Sequence, residues 1–364
     1  MSGPPIPRRG FLAALAAAPA AARAIDAEPA PRRRGIPLGF DNFAVRALDW
    51  DVPRLVDHAV ALGCDAVFVT DFGPLRGRTD DAALADLRAR AADRGVALLL
   101  GSWSVCPTAK RFKNDWGTAE EHLALGIRMA KALGSPAFRV ILGEQADRLS
   151  EGGIAARIAD TVAVLKTCRP LARDAGVKIA VENHAGDMTS RELLALVEEA
   201  GPDVVGVNFD SGNACWSLED PVAALDRLAP HVLTTSLRDS MVWESPRGVT
   251  VQWTAMGEGC TDLAAFCDLF ERRCPGVTVN VETISGFARE LPILERDFWK
   301  AYPDVRGEDV AGLLALARKG RAIGPFKPPE GAGRKQAEQD YQLAELARSI
   351  AHCRDVLGLG IRGS

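Results

Sequence analysis

Eight short apolar segments alternate along this chain with longer segments of helical periodicity, and this alternation limits the fold more than any other feature. The short segments are continuously apolar and rich in β-branched residues, as in "DAVFVTD", "AFRVILG" and "VKIAVEN". Strands of that kind have both faces covered, as in parallel sheets flanked by helices. The longer segments, such as "DAALADLRARAADRG", repeat apolar residues at helical spacing and often end in glycine. Eight such units predict a (β/α)8 barrel.

The main structural alternative is a doubly wound open sheet, but no G-x-G-x-x-G follows the first strand. The alternation begins at Ile36 and breaks after Tyr302. We therefore predict an α/β fold, a TIM barrel over residues 36–302, with extra C-terminal helices in a helical extension over residues 303–364. A chain of 364 residues fits one large domain of this type. Whether the extension packs on the barrel or on another subunit is left open, and so is a homo-oligomer.

The N-terminus has the layout of an export signal. Arg8 and Arg9 precede an apolar stretch over residues 11–22, which the small-residue pattern Ala22-Arg23-Ala24 follows. Paired arginines of this kind indicate the twin-arginine route, so residues 1–24 predict a cleaved signal and a periplasmic location. Residues 25–35 then read as a linker. The apolar stretch is too short to span a bilayer, and a disordered alanine-rich leader is the alternative.

The charge and the cysteines exclude several classes of function. Lys+Arg number 44 against 48 Asp+Glu, a net charge of -4, so nucleic acid is not an expected partner. The eight cysteines include no C-x-x-C pair, which argues against a zinc knuckle and against a dense disulfide framework. We expect most of them to be small buried hydrophobic side chains, with an isolated disulfide left open.

Three carboxylates stand where predicted strands end. Glu182, Asp210 and Glu282 follow strands five, six and eight, and the chemistry of a barrel gathers at the carboxyl ends of its strands. Like charges in a desolvated mouth repel unless something neutralises them. A shared divalent cation would do so, and oxygen ligands favour Mn²⁺ or Mg²⁺ over Zn²⁺. The alternative is that each acid caps a helix or pairs with an arginine such as Arg238.

The strand ends also carry the motifs "VENHAGD", "VNFDSGN", "LRDS", "GEG" and "VNVET". In this order they resemble the xylose isomerase-like TIM barrels, the sugar phosphate isomerase/epimerase superfamily, over residues 36 to about 300. The resemblance implies that Glu182 and Glu282 are both metal ligands and proton-transferring groups, and that Asp210 is a bridging ligand. A metal-bound enediolate with a carboxylate on either face accounts for proton transfer next to a carbonyl.

The histidine pattern departs from that family. Ser236 stands where the family usually has a histidine ligand, and a serine hydroxyl is a poor metal ligand. His184 lies two positions after Glu182, at the spacing where the isomerase branch carries a catalytic lysine. We predict that His184 transfers protons, the alternative being an ordinary loop histidine.

Substrate recognition is predicted from polar and aromatic residues in the loops. Asn183 and Arg238 follow strands, and Gln252 lies in a long segment that reads as a candidate lid. Trp103 and Trp216 also fall in predicted loops, where flat rings stack on the C–H faces of sugars, although tryptophan is equally a loop anchor.

Together these patterns predict an exported, metal-dependent isomerase or epimerase of a small carbohydrate, acting through a metal-bound enediolate. Export argues against a phosphorylated substrate. A lyase or dehydratase acting on a keto-sugar or cyclic polyol would use the same groups. A sugar-binding barrel without catalysis is the alternative that Ser236 favours. Abasic-site endonucleases of this superfamily are rich in histidine and zinc, whereas this chain has five histidines.

Overall fold

The computed structural model describes residues 32–284, 286–331 and 333–362, so the predicted export signal lies outside the described residues. The strands, in chain order, are β1 (Leu38–Asp41), β2 (Ala66–Val69), β3 (Ala97–Ser104), β4 (Ala137–Ile141), β5 (Lys178–Glu182), β6 (Val205–Phe209), β7 (Val232–Thr235), β8 (Asp239–Ser245), β9 (Gly248–Thr254), β10 (Val279–Val281) and β11 (Ala288–Leu291). The helices are α1 (Val52–Ala61), α2 (Asp81–Asp93), α3 (Ala119–Leu133), α4 (Gly153–Ala175), α5 (Ser190–Ala200), α6 (Ser211–Trp216), α7 (Pro221–Leu228), α8 (Leu263–Arg273), α9 (Gly307–Lys319) and α10 (Arg334–Asp355).

Eight parallel strands form the barrel, in the order β10-β1-β2-β3-β4-β5-β6-β7. The last gap closes through Leu237, which follows β7. Its N–H donates to the Asn280 carbonyl at 2.7 Å, and its carbonyl accepts from the Glu282 N–H at 2.8 Å. The predicted (β/α)8 barrel is confirmed, and β10 is its eighth strand.

Helix starts follow from local sequence. Thr118 and Thr189 form capping boxes with Glu121 and Glu192, which satisfy the free N–H groups at the first turns of α3 and α5. The helices then bury an apolar face against the strands. Because each helix buries one apolar face, its apolar residues recur at helical spacing, and the sequence shows the alternation of strands and helices.

The end of the chain differs from the prediction. The segment "ELPILERDFWKAY", predicted as the helix after the eighth strand, begins in β11, which pairs antiparallel with β9, and continues as the 3-10 helix Arg296–Ala301. Edge pairing with β9 therefore overrides the local helical pattern. Both predicted C-terminal helices exist, and α10 supplies Leu346, Ile350 and Cys353 to the main core. Because α10 also contacts β10, it takes the place of the eighth barrel helix.

The predicted lid segment is an antiparallel hairpin. Strands β8 and β9 pair along their length, and β11 completes a three-stranded sheet in the order β11-β9-β8. A second apolar cluster, which includes Trp216, Trp253 and Tyr302, lies at this sheet.

Two further predictions concern the cysteines and the membrane. All eight cysteines lie in the described part of the chain and are free, and all but Cys260 are buried. Within residues 32–284, 286–331 and 333–362, no helix is both long and apolar enough to cross a membrane.

Candidate active site

A pocket of about 380 Å³ opens at the carboxyl ends of the barrel strands. Its lining combines carboxylates and arginines with aromatic rings, which suits a polar ligand that also presents an apolar face. The lining residues are Phe43, Arg46, Trp103, Arg111, Arg139, Glu144, Glu182, His184, Ala185, Asn213, Trp216, Arg238, Trp253, Glu282, Ile284, Phe287 and Arg289. The structure therefore brings together most of the predicted site residues.

Glu182 is buried at the end of β5 and is held by neighbouring strands. Its Oε2 accepts hydrogen bonds from Arg139 Nε at 2.6 Å and from Asn208 Nδ2 at 2.7 Å. Burial by itself would raise the pKa of Glu182, but the adjoining Arg139 guanidinium outweighs it, so the pKa lies below its usual value. Glu182 is thus an ionised carboxylate at neutral pH.

Arg238 joins the other two predicted carboxylates. Its Nη2 donates to Asp210 Oδ2, and it also donates to Glu282 Oε2 at 2.5 Å. Asp210 caps α6 as well, since its Oδ1 accepts from the Asn213 N–H at 3.0 Å. Burial raises the pKa of Glu282; Arg238 opposes this shift and the Glu182 charge adds to it. One buried guanidinium therefore pairs with both carboxyl groups.

An aromatic stack fixes Arg238. Its guanidinium carbon lies 4.1 Å from the centre of the Trp253 ring, a cation–π contact. Trp253 stacks on Trp216 with 3.8 Å between ring centres, and the Arg289 guanidinium carbon lies 3.7 Å from the Trp216 ring. Trp216 is 6% exposed. These protein contacts therefore occupy the Trp216 ring that the sequence predicts to stack on a sugar.

Trp103 is an accessible ring of the pocket. It lines the pocket, is 37% exposed and meets His184 edge to face, with 6.2 Å between ring centres. Its predicted role in stacking on substrate is compatible with this position.

His184 is neutral, and one of its ring nitrogens has no hydrogen-bond partner among the described residues. Nδ1 bonds the Gly143 carbonyl oxygen at 2.6 Å, and because a carbonyl can only accept, Nδ1 carries the proton. Nε2 is therefore the unprotonated nitrogen. Burial lowers the pKa of His184 to about 4, against an opposing effect of Glu182. The predicted proton-transferring histidine thus has the tautomer of a base or acceptor.

Two predicted substrate-binding residues do not line the pocket. Both ends of the Asn183 amide bond the backbone of Asp210: Nδ2 donates to its carbonyl at 2.8 Å and Oδ1 accepts from its N–H at 2.9 Å. Asn183 therefore positions the end of β6. Gln252 is buried in β9 and its Nε2 donates to the Gly324 carbonyl at 3.2 Å. Backbone groups therefore bond both ends of the Asn183 amide and the Nε2 of Gln252.

The donor set does not fit the shared Mn²⁺ or Mg²⁺ ion predicted from Glu182, Asp210 and Glu282. Within the described ranges, no group of three His, Cys, Asp or Glu side chains is arranged to hold a metal. Instead, N–H donors of Arg139 and Arg238 occupy oxygens of all three carboxylates. A divalent ion at the same place would be repelled by both guanidinium charges. The observed contacts are those of the alternative prediction, in which the acids pair with arginines or cap a helix.

Sequence reasoning missed Arg139 and Arg289. Arg139 stands inside the apolar run "AFRVILG", and a charge in a buried strand is a signal that could have identified it. Arg289 directly precedes the segment predicted as a helix, and no local signal places it at the pocket.

A family model described as xylose isomerase-like TIM barrel matches residues 56–302. Among relatives, the 3-oxo-isoapionate decarboxylase of Pectobacterium atrosepticum is 24% identical over 213 residues, 58% of this chain and 70% of that protein. The uncharacterized protein YihM of Escherichia coli is 30% identical over 87 residues, and this match covers 24% of the chain and only 26% of YihM.

Solved structures share the fold at low sequence identity. D-psicose 3-epimerase in the presence of D-fructose matches with a TM-score of 0.58 and 15% identity, over 89% of this chain and 100% of that one. An IolI protein with a bound zinc atom matches with a TM-score of 0.52 and 16% identity, over 79% and 100%. A xylose isomerase-like protein from Mycobacterium smegmatis in complex with magnesium matches with a TM-score of 0.54 and 14% identity, over 79% and 100%.

Proposed function

The chain belongs to the xylose isomerase-like TIM barrel family, and we propose that it is an isomerase or epimerase of a sugar or sugar derivative. One observation carries the proposal: Glu182 and Glu282 line the same pocket in different electrostatic settings. Arg139 keeps Glu182 ionised, whereas burial raises the pKa of Glu282. Two carboxyl groups shifted apart in this way suit a base and an acid.

The reaction follows from these roles. Glu182 removes the proton from the carbon next to a carbonyl, the C–H electron pair forms a C=C bond, and the carbonyl π pair moves onto oxygen. Glu282 then returns a proton to that carbon while the carbonyl re-forms. Returning it to the other face inverts the stereocentre. Nε2 of His184 accepts a hydrogen bond from a substrate hydroxyl, and Trp103 packs on the sugar ring.

The metal-dependent form of this reaction, with Mn²⁺ or Mg²⁺, is not part of the proposal. The metals named for the zinc-containing and magnesium-containing neighbours belong to those proteins. In this chain Glu182, Asp210 and Glu282 contact guanidiniums.

A lyase-type reaction is the second candidate, and Arg289 favours it. Arg289 forms no ion pair among the described residues; its Nη1 donates to the Ala185 carbonyl at 3.0 Å and to Gln145 Oε1 at 3.3 Å. A free cation at the pocket suits a carboxylated keto-sugar, and one relative is named a 3-oxo-isoapionate decarboxylase. Loss of CO₂ from a 3-oxo acid leaves the same enolate, which Glu282 would protonate. Loss of a β-substituent from a keto-sugar is the dehydratase version.

A panel of free, oxidised and carboxylated sugars incubated in D₂O tests these candidates. Epimerisation places deuterium on the carbon next to the carbonyl and produces a new stereoisomer in the NMR spectrum. Decarboxylation releases CO₂, and elimination produces an unsaturated carbonyl that absorbs in the ultraviolet. Binding without exchange or product would contradict both enzyme proposals and support a sugar-binding barrel.

Export stays a prediction. We propose that residues 1–24 direct the chain to the periplasm, which would give the enzyme access to non-phosphorylated sugars.

A further inference from the structure

We propose that the Arg238 guanidinium does in this chain what a divalent ion would do, holding Asp210 and Glu282 together and donating hydrogen bonds to the substrate oxygen that becomes negatively charged. The second half of this inference rests on the proposed function. The first half concerns the resting protein and can be tested without a substrate.

The three acids at the pocket are buried beside two guanidiniums. Glu182, Asp210 and Glu282 are each at most 6% exposed, so a charge on any of them needs a nearby cation or a proton. Burial raises the pKa of Asp210 to about 8 and also raises the pKa of Glu282. Arg139 and Arg238, 5% and 2% exposed, supply them through direct contacts. Two guanidiniums, together with the raised pKa values of Asp210 and Glu282, therefore offset the repulsion for which the sequence predicts a metal ion.

Two nitrogen atoms of Arg238 have no acceptor among the described residues. Nη2 contacts carboxylates, but Nε and Nη1 are buried without any hydrogen-bond partner among the described residues. A buried guanidinium N–H without an acceptor is costly, and Arg238 lines the pocket. A ligand oxygen is the acceptor that fits, and an anionic oxygen fits best because the hydrogen bond is then charge-assisted. Donors fixed in advance at a buried site stabilise a developing oxyanion.

The surroundings of Arg238 are shaped for this side chain. Trp253 lies against its guanidinium. On the neighbouring segment, a Cβ added at Gly212 would overlap Arg238 Cγ and Cδ. The glycine of the motif "VNFDSGN" therefore leaves the space that the aliphatic part of Arg238 occupies. The surrounding residues thus fix the position of the Arg238 side chain.

Manganese binding tests the first half. The full chain is treated with EDTA, dialysed and titrated with Mn²⁺, with free Mn²⁺ measured by electron paramagnetic resonance. We expect no stoichiometric binding by the parent up to about 1 mM Mn²⁺, the range of weak ligands. Arg238→Ala removes the cation that pairs with Asp210 and Glu282. This variant should bind Mn²⁺ at least about tenfold more tightly than the parent, a gain that the added Glu282→Gln change abolishes.

One equivalent of Mn²⁺ bound tightly by the parent and lost in Glu282→Gln would overturn the proposal. If Arg238→Ala does not fold by circular dichroism, Arg238→Gln keeps most of the side-chain volume without the charge. The parent titration decides the question even if both variants are unfolded.

Turnover tests the second half. EDTA-treated parent should keep its full rate, and Arg238→Lys should lose at least about a hundredfold in kcat with a smaller change in KM, as expected for donors that act on the transition state. Arg247→Gln, an exposed arginine on the hairpin, is the matched control and should retain parental kinetics. A rate that disappears with EDTA and returns with Mn²⁺ would contradict the proposal. Absence of turnover with every sugar would contradict the proposed function, while the manganese titration would still decide the role of Arg238.

Discussion

The Arg238 guanidinium carbon lies 4.1 Å from the centre of the Trp253 ring. Arg238 follows β7 and contacts carboxylates at the ends of β6 and β10, whereas Trp253 belongs to the hairpin strand β9. The hairpin therefore contributes directly to the position of a pocket cation. Since Trp253 also stacks on Trp216 of α6, one aromatic stack links the hairpin to the barrel.

Replacing Trp253 should affect both stability and turnover. Trp253→Leu removes the cation–π contact and leaves space in a buried cluster, so we expect a loss of about 3 kcal/mol in the free energy of unfolding. Trp253→Phe keeps a ring and should lose less. Urea unfolding and kcat measure the two effects. Trp243→Leu, on the same hairpin and outside the pocket lining, should lower stability without the loss of kcat; equal kcat in both leucine variants would contradict the positional role.

Glu182 and Glu282 should both be required for turnover. Glu182→Gln removes the ionised base and Glu282→Gln removes the proton donor, and each should lower kcat by at least about a hundredfold. The measurement is the rate of deuterium incorporation next to the substrate carbonyl. Glu244→Gln, an exposed carboxylate on the hairpin, is the control and should keep the parental rate. Exchange that persists in either site variant would remove that residue from the mechanism.

The sequence predicts the barrel that carries this site better than it predicts which charged groups pair with the three acids. The alternation of apolar strands and amphipathic helices fixes the barrel, and strand ends then place Glu182, Asp210 and Glu282 at one mouth. The sequence also predicts Arg238 as a substrate-binding residue and, alternatively, as a partner of the acids. Choosing between arginine and metal requires distances across segments 28 and 44 residues apart in the chain, which only the closed barrel provides.

Asn183 and α10 show the same limit for other interactions. Asn183 has the residue type of a ligand-binding amide, but its partner is the backbone of Asp210 on the adjacent strand. The role of α10 depends on its packing against β10, which the local helical pattern does not encode. Both roles are set by tertiary contacts.

His184 should make the fold less stable in acid. Its folded pKa, about 4, lies below the ordinary value of 6.5, so the folded state resists protonation more than the unfolded state does. The associated stability is fully present above pH 6.5 and is lost as the pH falls through 4. From this shift the loss is at most about 3 kcal/mol. Urea unfolding of the parent and of His184→Gln between pH 7.5 and 4 measures it, and identical pH dependence in both proteins would contradict the neutral histidine.

The N-terminal prediction can be tested in a bacterium with a twin-arginine system. Mass spectrometry of the periplasmic fraction should find the chain beginning after Ala24, and replacing both Arg8 and Arg9 by lysine should leave the full-length chain inside the cell. A parent chain that keeps residues 1–24 and stays in the cytoplasm would contradict export.

Arg289 should select substrates that carry a carboxylate. Its guanidinium lies 3.7 Å from the Trp216 ring and hydrogen-bonds only neutral oxygens among the described residues, so its charge is available to a ligand. A hydrogen bond to a charged group contributes roughly 1.5–3 kcal/mol, which corresponds to an increase of about 10- to 100-fold in KM for a carboxylated sugar when Arg289 becomes Gln. Neutral sugars should keep their KM.

Arg111, which pairs with Glu144 at 2.7 Å on the same pocket, is the comparison for this prediction. Because the charge of Arg111 is already paired, Arg111→Gln should discriminate less than Arg289→Gln between neutral and carboxylated sugars. Equal changes in KM for neutral and carboxylated sugars in Arg289→Gln would mean that Arg289 only supports the stack on Trp216, and the lyase-type candidate would lose its structural argument.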